Sequence, residues 1–328
     1  MDFLSLASTD PYFNMAFDEA CLQEPPAGQP FFYLWQNSPA VIIGLNQNAY
    51  AEVNLAWLQE KGIALARRVT GGGAVYHDLQ NLNYTIVGSM RDLERDYPDY
   101  MRMVADALCR LGVKAEVSGR NDILVDGRKC SGYAKRVWRN RIMVHGTLMF
   151  DVNFQDMAMA LAAPGGKFSA AGVASVRSRV ANLKEYLPRY QDIDSFRAAL
   201  QDCLAAGGNR IPVPQSLMDR AAKEADAKFR TWDWNLGHSP KADFVSCKKY
   251  SCGTIEARWS LGHGRITTLS FGGDFIGNLP SDTLAAVLTG CRMETGALES
   301  AMKESGISPS DCFDGLGTDG FMELFSLK

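Results

Sequence analysis

The sequence has only four histidines, and none stands in an HExxH or comparable spacing, which argues against a zinc centre. Its cysteines (Cys21, Cys109, Cys130, Cys203, Cys247, Cys252, Cys291, Cys312) include no CxxC pair. They read as thiols in a reducing compartment, mostly core filler. No run approaches the length of apolar chain that a membrane helix needs. The opening MDFLSLASTD lacks a basic region and is followed by Asp18, Glu19 and Glu24, so no signal peptide is expected and the chain is expected to remain in the cytoplasm. Charge of one sign is also missing. With 34 Lys plus Arg against 37 Asp plus Glu, the net charge is −3, and no overall field exists to draw in nucleic acid or an anionic membrane.

What is present is an ordinary globular composition, 46% hydrophobic over 328 residues, enough for one large domain or a large one with a small one. Asp10 and Pro11 supply a helix start, with Phe13, Ala16, Phe17 and Ala20 at helical spacing. The apolar runs Phe31 to Trp35 and Val41 to Gly44, separated by Asn37, Ser38 and Pro39, read as a hairpin. A short helix near Leu55 to Gly62 precedes strands at Ile63 to Val69 and Leu82 to Val87. Met101, Val104, Ala105, Leu108 and Leu111 form a helical stripe stopped at Gly112. Val113 to Val117 alternates as a strand, Ile123 to Val125 turns through Asp126 and Gly127 as a hairpin, and Ile142 to Val152 continues the sheet. Helices follow at Phe196 to Leu204 and Leu217 to Phe229. After a break at Trp232 to Pro240, strands alternate about His263 and Gly264, and two helices and a tail close the chain. The expected division is 1–245 as a large domain and 246–328 as a small one.

Gly71, Gly72 and Gly73 stand together between two strands, preceded by Arg67 and Arg68. Glycines let backbone amides approach an anion, and arginines match phosphate or carboxylate; a flexible turn is the plainer reading. The segment is not a Walker loop, since its exit is a strand, and no GxGxxG is present. A second cluster holds Asn121, Asp122, Lys129, Cys130 and Ser131. Lys129 follows the hairpin tip, either solvated or fixed by packing so as to aim its ammonium. Asp122 either caps a turn or serves a magnesium ion near phosphates. Cys130 beside a lysine is a candidate nucleophile or core filler. His145 either fills the core or meets a ligand. Lys167 to Leu183, glycine-punctuated and basic at both ends, suits either a surface loop or one closing over an anion.

Taken together, Arg67-Arg68 through His77-Asp78, Asn81-Leu82-Asn83-Tyr84, Gly119-Arg120-Asn121-Asp122, Gly127-Arg128-Lys129, Ser131-Gly132, His145-Gly146-Thr147-Leu148 and Ser175-Val176-Arg177-Ser178-Arg179-Val180 with Asn182-Leu183 resemble the lipoate-protein ligase family in order and spacing. Weaker matches, including Trp232, Trp234, Asn235 and Gly237, extend the resemblance over nearly the whole chain. It implies an α+β fold: a large catalytic domain shared with biotin ligases, with mixed and antiparallel sheets and flanking helices, followed by a small α+β accessory domain.

The resemblance also implies a two-step reaction in which lipoate and ATP give lipoyl-AMP and pyrophosphate, and an acceptor lysine then takes the lipoyl group as an amide. It assigns Lys129 as the catalytic residue. It gives Arg68, Gly73, Ala74, Val75, Tyr76, Asn121, Lys129, Ser178 and Arg179 to ATP or the adenylate. Trp35, Gly44, Arg68, Gly72, His77, Lys129, His145 and Gly146 go to lipoate, and Asp122 to Mg2+. The implied partners are lipoyl-acceptor domains of 2-oxoacid dehydrogenase E2 subunits and the glycine cleavage carrier protein, with no nucleic acid and no membrane. The sequence departs from the family pattern at Ala171, where a lysine is common, and at Cys130 and Tyr133. Two other activities stay open at this point: an ATP-independent octanoyl or lipoyl transferase working through a cysteine thioester, and a non-catalytic lipoate-binding protein.

Overall fold

The computed structural model describes residues 1–26, 30–118, 121–162, 178–273, 275 and 277–327, without the side chains of 90–99 and 242. The chain divides into two compact units. One contains Met1–Leu45, Ala64–Leu161 and the described part of Lys167–Thr231; the other contains Asn46–Ile63, Ala162 and Trp232–Lys328. The α+β class expected from the resemblance is the architecture observed.

The first unit is built on a seven-stranded mixed sheet. Its strands are β1 (Asp2–Ser5), β2 (Phe31–Trp35), β6 (Asn81–Ser89), β7 (Ala115–Ser118), β8 (Asp122–Val125), β9 (Arg128–Trp138) and β10 (Arg141–Met149), in the order β1-β2-β6-β10-β9-β8-β7. A second sheet has the order β4-β3-β5, from β3 (Ala40–Ile43), β4 (Ala64–Arg67) and β5 (Val75–His77). One face of the large sheet carries the core, where Leu82, Tyr84, Ile86, Ile142, Val144 and Leu148 pack with Val104, Leu108, Phe196 and Leu200. Those last four come from the helices α2 (Met90–Leu111) and α3 (Ile193–Ala205). Because side chains alternate along a strand, Asn83, Thr85, His145 and Thr147 point to the opposite face. The helix α1 (Pro11–Gln23) begins as expected, with the Asp10 side chain accepting from Tyr12 N.

The expected hairpin between β2 and β3 does not form. β2 pairs with β1 and β6, whereas β3 pairs with β4 and β5. Both strands are buried along their whole length, so each is an interior strand of its own sheet and neither has the alternating face of a hairpin. Asn37, read as a turn residue, is fully buried and bonds to Asn14 and His77. The hairpin at Asp126 and Gly127 does form, with φ of 48° and 71°, as its two left-handed turn positions require.

The second unit carries the antiparallel sheet β11 (Ala242–Tyr250), β12 (Gly253–Gly262) and β13 (Arg265–Gly273). The helices α4 (Ser281–Leu288) and α5 (Thr295–Ser305) belong to the same unit, and its core joins Ile255, Leu261, Leu284, Leu298, Phe313 and Phe321. The units part at Thr231 and Trp232, and β11 runs across position 245. Among the described residues, no helix is long and apolar enough to cross a membrane.

Candidate active site

A pocket in the first unit is lined by strands of both of its sheets and by the glycine loop. The large sheet supplies Trp35, Asn83, Lys129, Gly132, Tyr133, Ala134, His145, Gly146 and Thr147; the small sheet and the loop supply Ile42, Arg68, Gly72, Gly73, Ala74, Val75 and His77; Met15 of α1 and Asn121 complete the lining. Eleven positions singled out from the sequence therefore meet here: Trp35, Arg68, Gly72, Gly73, Ala74, Val75, His77, Asn121, Lys129, His145 and Gly146.

Both arginines are hydrogen-bonded within the protein, and Arg68 also lines the pocket. Arg67 is fully buried and donates from Nη1 to the carbonyls of Gly44 and Leu45 at 3.1 and 3.0 Å. Arg68 donates from Nη1 to Ile42 O, from Nε to Thr70 Oγ1, and from Nη2 to the carbonyls of Gly71 and Gly73 at 2.7 and 2.8 Å. Burial lowers both guanidinium pKa values to about 10, and Arg68 acts as the internal scaffold of the loop. Of the three loop glycines only Gly72 has a positive φ, +94°. Its carbonyl packs on Gly44, where a β-carbon would lie 2.0 Å from Gly72 O. Gly44 thus shapes the pocket from behind the loop. Tyr76 is buried on β5, and burial, then Asp78 and Asp156, raise its phenol pKa.

Behind the pocket lies a buried polar chain that the sequence did not announce. The Trp35 indole donates to Thr85 Oγ1 at 2.9 Å, and the Thr85 hydroxyl donates to Asp18 Oδ1 at 2.9 Å. The Tyr33 hydroxyl also donates to Asp18. Asp18 Oδ2 accepts from His145 Nδ1 at 2.6 Å, and His145 Nε2 meets Thr70 Oγ1 at 2.8 Å, which returns the chain to Arg68. A wall residue, Trp35, is thereby linked to the arginine that holds the loop. In the sequence Asp18 is no more than an acidic residue near the N-terminus; its partners lie 15, 67 and 127 positions away, beyond any local pattern.

Lys129 lies beside Asp122, Nζ to Oδ1 at 2.7 Å. The lysine crosses Gly132, where a β-carbon would come within 2.8 Å of both Cε and Nζ. Cys130, the neighbour in sequence, is fully buried and donates to Ile123 O at 3.4 Å. Burial pushes its thiol up to about 12. The thiolate that nucleophilic attack needs is therefore suppressed there, which argues against Cys130 as the acyl carrier of a transferase.

His77 is 3% exposed, and its pKa falls to about 3 through burial, then through the charges of Arg68 and His145. Ser178 and Arg179 are exposed and do not line the pocket. Gly119, Arg120 and the segment 163–177, which includes Ala171 and most of the expected covering loop, lie outside the described residues.

Comparison with known proteins decides the family. Residues 10–205 match the lipoyl protein ligase A/B catalytic domain, and residues 239–325 match the bacterial lipoate protein ligase C-terminus. The chain belongs to the lipoate-protein ligase family. Members of this family are enzymes. Lipoate-protein ligase LplJ of Bacillus subtilis is 35% identical over 321 residues, 96% of each chain. The bi-partite lipoate protein ligase of Thermoplasma acidophilum, described with its E2 lipoyl domain, superposes with a TM-score of 0.66 at 29% identity, covering 72% of this chain and 96% of that one. A lipoate-protein ligase A bound with ATP superposes with a TM-score of 0.62 at 28% identity, covering 72% and 98%.

Proposed function

We propose that this chain is an ATP-dependent lipoate-protein ligase. A lipoate carboxylate oxygen attacks the α-phosphorus of ATP, and the bond to pyrophosphate breaks, leaving lipoyl-AMP. The ε-amine of an acceptor lysine then attacks the carbonyl carbon, loses its proton, and expels AMP as the amide forms. The observation that carries this reading is the position of Lys129, whose ammonium, paired with Asp122, reaches the pocket by lying across Gly132. A cation placed there draws two anions, carboxylate and α-phosphate, into one small volume and offsets the charge that builds during transfer.

The amides from Gly73 through Ala74 and Val75 to Tyr76 receive the adenylate, with Asn121 on the nucleotide side; for Ser178 and Arg179, which do not line the pocket, the nucleotide role rests on the family resemblance alone. Trp35, Gly72, His77, His145 and Gly146 enclose the acyl chain, with Gly44 supporting the loop from behind, and Arg68, which lines the pocket, binds the adenylate and the lipoate carboxylate as well as holding the loop. Among the described residues, no group of three His, Cys, Asp or Glu could hold a metal ion. A magnesium ion that arrives with nucleotide phosphates needs only one or two protein carboxylates, and Asp122 fits that requirement. Such an ion would screen the phosphate charge.

The relatives support lipoate, ATP and a lipoyl domain as the reactants, the last through the E2 domain named with the Thermoplasma acidophilum ligase. The test is a panel of acceptors, E2 lipoyl domains and the glycine cleavage carrier, incubated with lipoate with and without ATP and read by mass spectrometry. We expect a lipoyl mass increment on one lysine only when ATP is present. Modification that proceeds equally without ATP from an acyl-carrier donor contradicts the ligase.

A further inference from the structure

Strand β9 has one residue more than its neighbour β8 can pair. Beyond the turn at Asp126 and Gly127, Val125 lies opposite Arg128 and Leu124 opposite Lys129; further along, Ile123 lies opposite Ser131 and Asp122 opposite Gly132. The register shifts between Ile123 and Leu124, and Cys130 is left with no residue across from it. This is a β-bulge, and burial shows its effect. Cys130 and Ser131 are consecutive, yet both are buried, at 0% and 1% exposure, where a regular strand sends neighbours to opposite faces.

The bulge decides which face Lys129 takes. Residues opposite one another share a face of the sheet, and Ile123 and Val125 belong to the core. Asp122, Leu124, Lys129 and Gly132 therefore share the other face, on which Lys129 and Gly132 line the pocket. Counted back from Gly132 along a regular strand, Cys130 would point to the pocket and Lys129 into the core; the extra residue reverses that. The Lys129 backbone is also held from its other side. The ladder between β9 and β10 ends at the pair Tyr133 and Gly146, and past it Val180 bridges to Lys129, with Ala181 N donating to Lys129 O at 2.9 Å.

We propose that the extra residue at Cys130 positions Lys129: the bend it puts into β9, and not its thiol, aims the ammonium across Gly132 at the reacting carboxylate and phosphate. Bulges re-aim side chains in this way beside active sites. This rests on the activation step proposed above, in which Lys129 is the catalytic residue and Cys130 acts only through it.

The test is lipoate-dependent exchange of pyrophosphate into ATP by the protein lacking Cys130. The deletion leaves Lys129 opposite Leu124 in a regular ladder, so the lysine keeps its charge and its face and loses only the bend. We expect exchange to fall about tenfold or more, while Cys130→Ala, which keeps the extra residue, stays within about threefold of the parent. In a Lys129→Ala background the same deletion should cost nothing further, because no ammonium is left to aim; a merely structural lesion would lower both backgrounds alike. Alanine inserted between Ile123 and Leu124 removes the bulge from the other strand and turns Lys129 to the core face, and should lower exchange at least as far. In the parent bound to lipoate and to ATP with a methylene between its α- and β-phosphorus atoms, nuclear Overhauser contacts should keep Leu124 opposite Lys129 and Ile123 opposite Ser131. Parent-level exchange in a folded variant without the bulge, an equal further loss in the Lys129→Ala background, or a ladder that becomes regular on binding overturns the inference. The contacts in the parent decide it even if no variant folds. A parent that shows no exchange at all contradicts the ligase reading instead.

Discussion

The ammonium of Lys129 rests 2.7 Å from the carboxylate of Asp122, and the lysine stem lies directly over Gly132. The pair is about one-third exposed on each side, so as an ion pair it contributes roughly 0–1 kcal/mol. Its importance lies in where it holds the cation. Gly132→Ala puts a methyl group where Cε and Nζ now lie, and a flexible side chain can move aside with little cost. We expect stability to change by less than about 1 kcal/mol, while activity falls tenfold or more, about what displacing a catalytic group by an ångström costs. Urea denaturation together with lipoyl-transfer rates measures both.

The glycine loop should divide into tolerant and intolerant positions. Gly44→Ala drives a methyl into the Gly72 carbonyl, and Gly72→Ala combines a φ of +94° with a contact 2.8 Å from Arg68 Nη2. Each should cost about 1–3 kcal/mol. At Gly71 and Gly73 an added β-carbon meets nothing within 4 Å, and alanine there should leave stability within about 0.5 kcal/mol. Thermal or urea unfolding of the four single variants checks the division.

That division also marks what the sequence could and could not convey. The triplet pointed to the loop, but the requirement for glycine concentrates at Gly72 and at its distant contact Gly44. The turn at Asp126 and Gly127, and with it the position of Lys129, followed from local backbone chemistry and was legible. The inward direction of Arg67 and Arg68 was not, because their acceptors are carbonyls exposed only once β3 and the loop are folded together. Asp18, Tyr33 and Thr85 carry no local signature, since their link exists only through tertiary packing. The false hairpin between β2 and β3 arose from two short, wholly apolar runs that can pair equally well with other partners.

Cys130 should be dispensable for chemistry. With its thiol pushed up to about 12 and donating to Ile123 O, Cys130→Ser or Cys130→Ala should keep lipoyl-transfer activity within about threefold, with a stability loss of about 1–2 kcal/mol from the buried site. Trapping of a lipoyl thioester on Cys130 in the parent, seen by mass spectrometry of a denatured digest, would count against this.

His77 should steepen the acid limb of stability. Its pKa is about 3 when folded against an ordinary 6.5, so above pH 6.5 both states are neutral and the full stability is present. As pH falls from 6.5 toward 3 the unfolded chain takes up the proton first, and stability declines by up to about 1.4 kcal/mol per pH unit from this group. In His77→Gln that contribution is missing, and the unfolding free energy should fall less steeply over the same range. Equal slopes in parent and variant would contradict the buried, neutral ring.

The central claim is that Lys129 brings carboxylate and α-phosphate together in an ATP-dependent activation. Lipoate-dependent exchange of labelled pyrophosphate into ATP tests it without any acceptor protein. The account predicts exchange with the parent, a fall of at least about a hundredfold with Lys129→Ala, and retention with Cys130→Ser. Full exchange in Lys129→Ala, or none in a parent protein that still transfers lipoyl groups, would contradict it.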